Sequence, residues 1–197
     1  MHFPIEEDSR GTYLLNSKDL MMLEHIPELM ESGINSFKIE GRMKSAYYVA
    51  CVVNAYRRAI DGYLRQGAAY ALDSRLLADV QASATRRFTT GFYFGNPGSE
   101  GQDVEKLLSQ ERSMVFCAKV LAPPDERGLV LVEQRNRFFT GETLSLLSPH
   151  YEFETFSTDI ILAEDGTEQD SAPHPQQRVY IRSPYDLRPG DMLRRAR

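Results

Sequence analysis

Ser36-Phe37-Lys38-Ile39-Glu40-Gly41-Arg42-Met43-Lys44-Ser45 is the stretch on which the reading of this chain turns. Phe37 and Ile39 alternate with Lys38, Glu40 and Arg42 at a spacing of two, which predicts a strand over Asn35–Glu40 with one apolar and one charged face. A helix follows from Ser45 to about Leu64. Tyr48, Val52, Ala55, Tyr56, Ala59 and Tyr63 recur at helical spacing, and Val49, Val53 and Ile60 widen the apolar face. Charge on a buried strand face is costly unless it pairs or meets a ligand. In α/β folds the strand end that enters a helix is where active sites gather. Lys38, Glu40 and Arg42 are therefore the candidate catalytic cluster, with Glu40 expected to pair with a cation. A structural network closing the end of a sheet is the alternative.

A second unit of the same kind lies upstream. Gly11-Thr12-Tyr13-Leu14-Leu15 is β-prone, Asn16-Ser17-Lys18-Asp19 is a polar turn, and Leu20 to Leu23 with Ile26 begin a helical stretch. Pro27 suits a first helical turn and Gly33 a helix stop. The expectation is β-α-β-α over residues 1–64, with Thr12–Leu15 and Asn35–Ile39 as neighbouring parallel strands. Two such units cannot cover both faces and both edges of a sheet, and a barrel needs eight. Residues 1–64 thus read as the last βα units of an incomplete, TIM-like α/β barrel. His2 to Asp8 reads as an inter-element loop rather than a signal peptide.

Residues 65–112 change register. Leu76, Leu77, Val80 and Ala84 could line a short helix starting near Asp73. Phe88 to Gly98 is aromatic and glycine-rich, either an extended clamp or a packed linker, and 99–112 are polar. From Ser113 the pattern is all-β. Strands are expected at Val115–Leu121, Leu129–Glu133, Thr143–Leu147, Tyr151–Phe156, Thr158–Leu162 and Arg178–Ile181, closing with Arg188 to Arg194. Short strands at regular spacing over 113–197 argue a small closed or half-closed β-barrel. The fold class is α/β plus all-β.

The chain has 197 residues, 42% of them hydrophobic, and no apolar run near the roughly 18 residues a membrane span needs. Its two cysteines, Cys51 and Cys117, make neither a disulfide framework nor a metal-ligand spacing, and read as core residues in a reducing cytoplasm. A net charge of -5 argues against a cationic surface across the whole chain, though not against a local patch. Arg135-Asn136-Arg137-Phe138-Phe139 is one candidate, since guanidinium groups beside aromatics suit phosphate and base contact. The terminal Arg188, Arg194, Arg195 and Arg197 are another, with solvated barrel edges as the alternative. His2, His25, His150 and His174 share no spacing with a nucleophile, and no glycine-rich phosphate fingerprint is present.

Several motifs together resemble the collagenase-like peptidase family U32. They are Phe3-Pro4-Ile5-Glu6-Glu7-Asp8, Gly11-Thr12-Tyr13, Asn16-Ser17-Lys18-Asp19-Leu20, Lys38 to Ser45 with Tyr47-Tyr48-Val49-Ala50, Thr90-Gly91-Phe92-Tyr93, Glu133 to Phe138 and Pro189 to Leu193. They are collinear along almost the whole chain, and the resemblance is to the family's C-terminal half. It implies a barrel-like α/β catalytic domain followed by a small β-barrel of the translation-factor kind. Two activities attach to the family: proteolysis, and prephenate-dependent hydroxylation of tRNA to 5-hydroxyuridine at the wobble position. For the second, the resemblance implies an iron–sulfur cluster held by cysteines upstream of this chain. No cofactor or metal ligand is expected within the chain itself, where Met21 stands at a position often cysteine in relatives.

A dicarboxylate wants a bidentate guanidinium and an ammonium, which Arg42, Lys38 and Lys44 could supply. Asn16, Lys18 and Lys44 are the expected substrate contacts, and Arg135, Arg137 and Phe138 the expected RNA contacts. RNA modification is preferred over proteolysis because no nucleophile–base pair is visible. A non-catalytic fragment, or a subunit completing a partner's site, is the third reading. The expected partners are tRNA and a missing N-terminal half or partner subunit, with the fragment inactive alone.

Overall fold

The structure is a computed structural model and describes residues 6–9, 11–13, 17–102 and 113–197. The chain divides into two compact units: residues 1–42 with 55–112, and residues 43–54 with 113–197.

In the first unit, β1 (Glu6–Asp8) and β2 (Gly11–Tyr13) form an antiparallel hairpin. β3 (Asp19–Leu20) runs parallel to β4 (Phe88–Thr89), with Asp19 opposite Phe88 and Leu20 opposite Thr89. A 3-10 turn at Leu23–His25 leads into α1 (Ile26–Glu31), which has Pro27 in its first turn. Gly33 after it adopts φ +82, the left-handed conformation in which a helix commonly stops. α2 (Ala46–Gln66) is the long helix, and its latter part belongs to this unit. α3 (Ser74–Ser83) starts at Asp73, whose carboxylate accepts from the Arg75 backbone N–H at 2.9 Å. Met22, Leu23, Ile26, Leu29, Ala55, Ala59, Leu76 and Val80 are buried. The Tyr56 hydroxyl accepts from the Met22 N–H at 2.7 Å, and burial raises its pKa.

The expected pair of parallel strands is not formed. Gly11–Tyr13 pairs antiparallel with β1, and the expected Leu14 and Leu15 lie outside the described residues. Residues 34–40 carry no strand. The physical reason is the missing ladder. A parallel strand is stable when buried between neighbours, and among the described residues none pairs with this segment. Ile34 and Ile39 accordingly stand 44% and 38% exposed.

The second unit is the all-β one, and here the hydrophobic alternation decides the outcome. Its strands are β5 (Met114–Val120), β6 (Leu129–Gln134), β7 (Thr143–Leu147), β8 (Thr155–Ser157), β9 (Ile161–Ala163), β10 (Glu168–Gln169), β11 (Arg178–Arg182) and β12 (Met192–Ala196). They form one antiparallel sheet in the order β10-β9-β11-β6-β5-β12-β7-β8. Val130 and Val132, Leu144 and Leu146, and Val179 and Ile181 alternate inward into a core shared with Cys117, Phe138, Phe156, Ile161 and Leu193.

The loop 138–141 joins segments that follow the two ends of this sheet. Ala172 N–H donates to the Phe138 carbonyl at 3.0 Å, Thr140 N–H to Asp170 at 3.0 Å, and Gly141 N–H to Thr158 at 2.7 Å. These bonds occupy backbone groups that an open sheet would leave unpaired. The first turns of α2 pack on the same sheet. Tyr47 stacks on Phe116 with ring centroids 5.1 Å apart and planes 6° apart, and Cys51 and Leu147 complete the contact.

Candidate functional site

The charged segment that heads α2 lies at the surface. Lys38 Nζ is 3.6 Å from Glu40 Oε2, so Glu40 does pair with a cation, but the two side chains are 86% and 65% exposed. The Glu40 carboxylate also accepts from the Arg42 N–H at 3.3 Å. The cluster is a solvated turn rather than one face of a buried strand, because the strand it would have belonged to is unpaired. Ser45 Oγ then accepts from the Tyr48 N–H at 3.2 Å and caps the helix start, and Lys44 Nζ sits 4.8 Å over the Tyr48 ring.

Asn16 lies outside the described residues. Lys18 is held by its backbone N–H to the Gly101 carbonyl at 3.1 Å. It borders a cleft of about 710 Å³ in the first unit, together with Leu20, Gly91, Phe92, Tyr93 and Pro97. Gly91 there has φ +60, and a Cβ on it would come within 3.2 Å of the Leu20 side chain. Two motifs singled out in the sequence, Ser17-Lys18-Asp19-Leu20 and Thr90-Gly91-Phe92-Tyr93, thus meet across the β3–β4 pair.

In the second unit, the loop after β6 has a definite geometry. Phe138 is fully buried in the barrel core and cannot contact RNA, which corrects its expected role. Its carbonyl is tied to Ala172, and that bond at the closure directs the ring inward. Its neighbour Phe139 is exposed, and the Arg137 guanidinium lies 4.6 Å over the Phe139 ring. Arg137 also donates to Ser171 Oγ at 3.3 Å. Arg135 is held against Glu133 at 2.5 Å. The loop base is pinned by Arg135 N–H to the Cys117 carbonyl at 2.7 Å and by Asn136 Nδ2 to the Phe116 carbonyl at 2.7 Å. The outcome is two guanidinium groups and one aromatic face presented on a fixed backbone, a combination suited to phosphate and base contact.

The terminal arginines do not form the expected patch. A register shift between Leu193 and Arg194 lets both side chains be buried. Arg194 is 3% exposed, with Nη1 3.9 Å from Cys51 Sγ. Arg195 approaches Glu142 at 3.6 Å, and Arg188 contacts His150 at 3.2 Å.

Both cysteines are buried, and neither is in a disulfide. Burial pushes the Cys117 thiol from its ordinary 9.0 up to about 11. Among the described residues no group of three or more His, Cys, Asp or Glu side chains is placed to hold a metal ion. An iron–sulfur cluster needs several thiolates at one place. Cys51 and Cys117 sit in separate hydrophobic clusters, so the described residues do not supply that ligand set. No described helix is long and apolar enough to cross a membrane.

Residues 3–103 match peptidase family U32, and residues 112–194 match the peptidase family U32 C-terminal domain. The chain belongs to peptidase family U32. This U32 chain is 35% identical over 192 residues to the tRNA hydroxylation protein P1 of Bacillus subtilis, covering 98% of the chain and 45% of that protein. It is 31% identical over 181 residues to the tRNA hydroxylation protein P of Haemophilus influenzae, covering 92% of the chain and 38% of that protein. It is also 33% identical over 93 residues to a collagenase of Porphyromonas gingivalis, covering 46% of the chain and 25% of that protein. The U32 chain therefore spans less than half the length of these relatives.

Proposed function

We propose that the chain forms the C-terminal portion of a cytoplasmic tRNA-hydroxylating protein, in which the β-barrel holds the tRNA. The observation that carries this reading is the loop 135–139. Its exposed Arg137–Phe139 stack is oriented by the buried Phe138 and flanked by Arg135. The likeness to proteins named for tRNA hydroxylation along 92–98% of the chain supports it. Of the two loop aromatics that the sequence reading offered, Phe139 rather than Phe138 takes this role.

In the same reading the first unit is the end of a TIM-like α/β catalytic barrel. Preceding strands, from an upstream part of the protein or from a partner subunit, would pair with residues 34–40 and cover Ile34 and Ile39. Pairing there would order Lys38, Glu40 and Arg42 at a strand end and leave Lys18, Asn16 and Lys44 to hold substrate. Any iron–sulfur cluster would be held by cysteines outside this chain.

The test is tRNA binding by the protein with Arg137→Ala and with Phe139→Ala. Each lost phosphate contact should make the log–log salt slope shallower by about 0.7 to 0.9, with the melting temperature unchanged. Loss of tRNA-borne hydroxyuridine in cells carrying these variants should accompany it. Undiminished tRNA affinity in both variants refutes the proposed contact.

Proteolysis is the second reading, carried by the family name and the collagenase likeness. It requires an activated nucleophile or a metal-bound water. Among the described residues both thiols are buried, and no group of three or more His, Cys, Asp or Glu is placed to hold a metal ion.

A further inference from the structure

We infer that Glu142 is a positioning residue for the loop contact: its carboxylate, paired with Arg195 of β12, sets Phe139 where the ring meets Arg137. The inference rests on the RNA reading proposed above and names the group that prepares the loop for the tRNA.

Phe139 stands opposite Ser171 in an antiparallel bridge. The hydrogen bonds of this bridge come from the residues on either side. Ala172 N–H donates to the Phe138 carbonyl at 3.0 Å, and Thr140 N–H to the Asp170 carbonyl at 3.0 Å. Phe139 is thus at a non-hydrogen-bonded position of the pair, and its own N–H points away from Ser171. On that side the Glu142 carboxylate accepts it, at 3.0 Å from Oε2. Glu142 N–H donates back to the Phe139 carbonyl at 3.3 Å, and Gly141 between them takes φ +79, so the two residues close a turn on each other.

A carboxylate accepts a backbone N–H more strongly than a neutral group does. It also sets a negative charge beside a surface meant for phosphate. Arg195 offsets that charge. Its Nε is buried, makes no hydrogen bond to the described residues, and lies 3.6 Å from the same Oε2. The two side chains are 27% and 30% exposed, so salt screens this pair less than a surface pair. Arg137 is fixed from the other side, with its guanidinium 4.6 Å over the Phe139 ring and donating to Ser171 Oγ at 3.3 Å. Ser171 therefore sets the guanidinium and Glu142 the ring. A contact held in its bound geometry before the ligand arrives avoids the ordering cost on binding.

The experiment is fluorescence-anisotropy binding of fluorescein-labelled bulk tRNA to the intact protein. Glu142→Gln keeps an acceptor for the Phe139 N–H and should hold tRNA affinity within about twofold of the wild type. Glu142→Ala removes the acceptor and should weaken binding about fivefold or more, as loss of a stacked base does. Because Glu142→Ala leaves Arg195 buried without this counter-charge, the comparison is repeated in an Arg195→Met background, where the same loss is expected. In a Phe139→Ala background, Glu142→Ala should change affinity less than about twofold, since the two act through one ring. Equal losses from Glu142→Ala with and without the Phe139 ring overturn the inference, by making Glu142 a general support of the barrel. Wild-type affinity for Glu142→Ala overturns it too, as does a loss in Glu142→Gln as large as that in Glu142→Ala. In each of these cases the loop contact stands if Phe139→Ala itself weakens binding. Undiminished affinity of Phe139→Ala overturns the loop contact and the inference together.

Discussion

Phe138 and Phe139 are adjacent, identical side chains with opposite surroundings, and substitution should separate them. Phe138 is fully buried, so Phe138→Ala removes its packing and leaves a cavity, a change that typically costs about 3–5 kcal/mol. Phe139→Ala should shift stability by no more than about 0.5 kcal/mol, the range of ordinary surface substitutions. Urea unfolding of the two variants measures the difference, and equal losses would contradict the assignment. Both aromatics in the loop were legible from the sequence as functional candidates. Which one faces the core was not, because the decision is made by a hydrogen bond from Ala172, far away in the chain. Glu40 teaches the converse. Its partner Lys38 was legible from the spacing of two, but the burial was not, since burial depends on a strand partner. Glu40→Ala should change the stability of this chain by only about 0–1 kcal/mol, as for exposed pairs generally. A loss of several kcal/mol in thermal melting would show that the pair is not solvated.

Elements that satisfy themselves locally were the legible ones. α3 begins at the Asp73 cap, the β5–β6 turn closes on Asp125, and β7 spans the expected Thr143–Leu147. α2 was placed correctly as an element, and the expected Val52, Ala55 and Ala59 of its apolar stripe are buried, with Tyr47 and Cys51 added to it, while Val53 is exposed. The two parts of the helix belong to different units, and each part turns its own residues inward. Tyr47→Ala should lower the melting temperature of the barrel, because it removes the stack on Phe116.

Strand β5 also carries a pH signature. The folded barrel holds the Cys117 thiol neutral by raising its pKa from 9.0 to about 11. A group with a raised folded-state pKa stabilises fully below its unfolded value and loses that contribution as pH climbs through the folded one. Wild-type stability should therefore fall between pH 9 and about pH 11 more steeply than that of Cys117→Ala. Parallel pH profiles for the two proteins would rule out the buried neutral thiol.

At the scale of the whole molecule, the two units differ in how completely their backbones are paired. The β-barrel forms a continuous antiparallel ladder joined across the loop 138–141, whereas the first unit holds short strand pairs and leaves 34–40 without a strand. The barrel was legible because alternation and turns are local, antiparallel signals. The expected parallel pair of the first unit was not, because parallel strands take their stability from neighbours, and none of the described residues pairs with this segment. Amide exchange should be slow at Val120, Val132, Val179 and Ile181 and fast across 34–40, with the difference shrinking if an upstream or partner segment pairs there.

The RNA reading ties these scales together, since it needs the residues, the strand and the barrel at once. Ultraviolet crosslinking of the protein to tRNA, followed by mass-spectrometric mapping of the RNA-bearing peptides, tests it most directly. The account predicts crosslinked peptides containing Phe139. Crosslinks confined to residues outside 113–197, or no crosslinks above a protein that does not bind RNA, would contradict it.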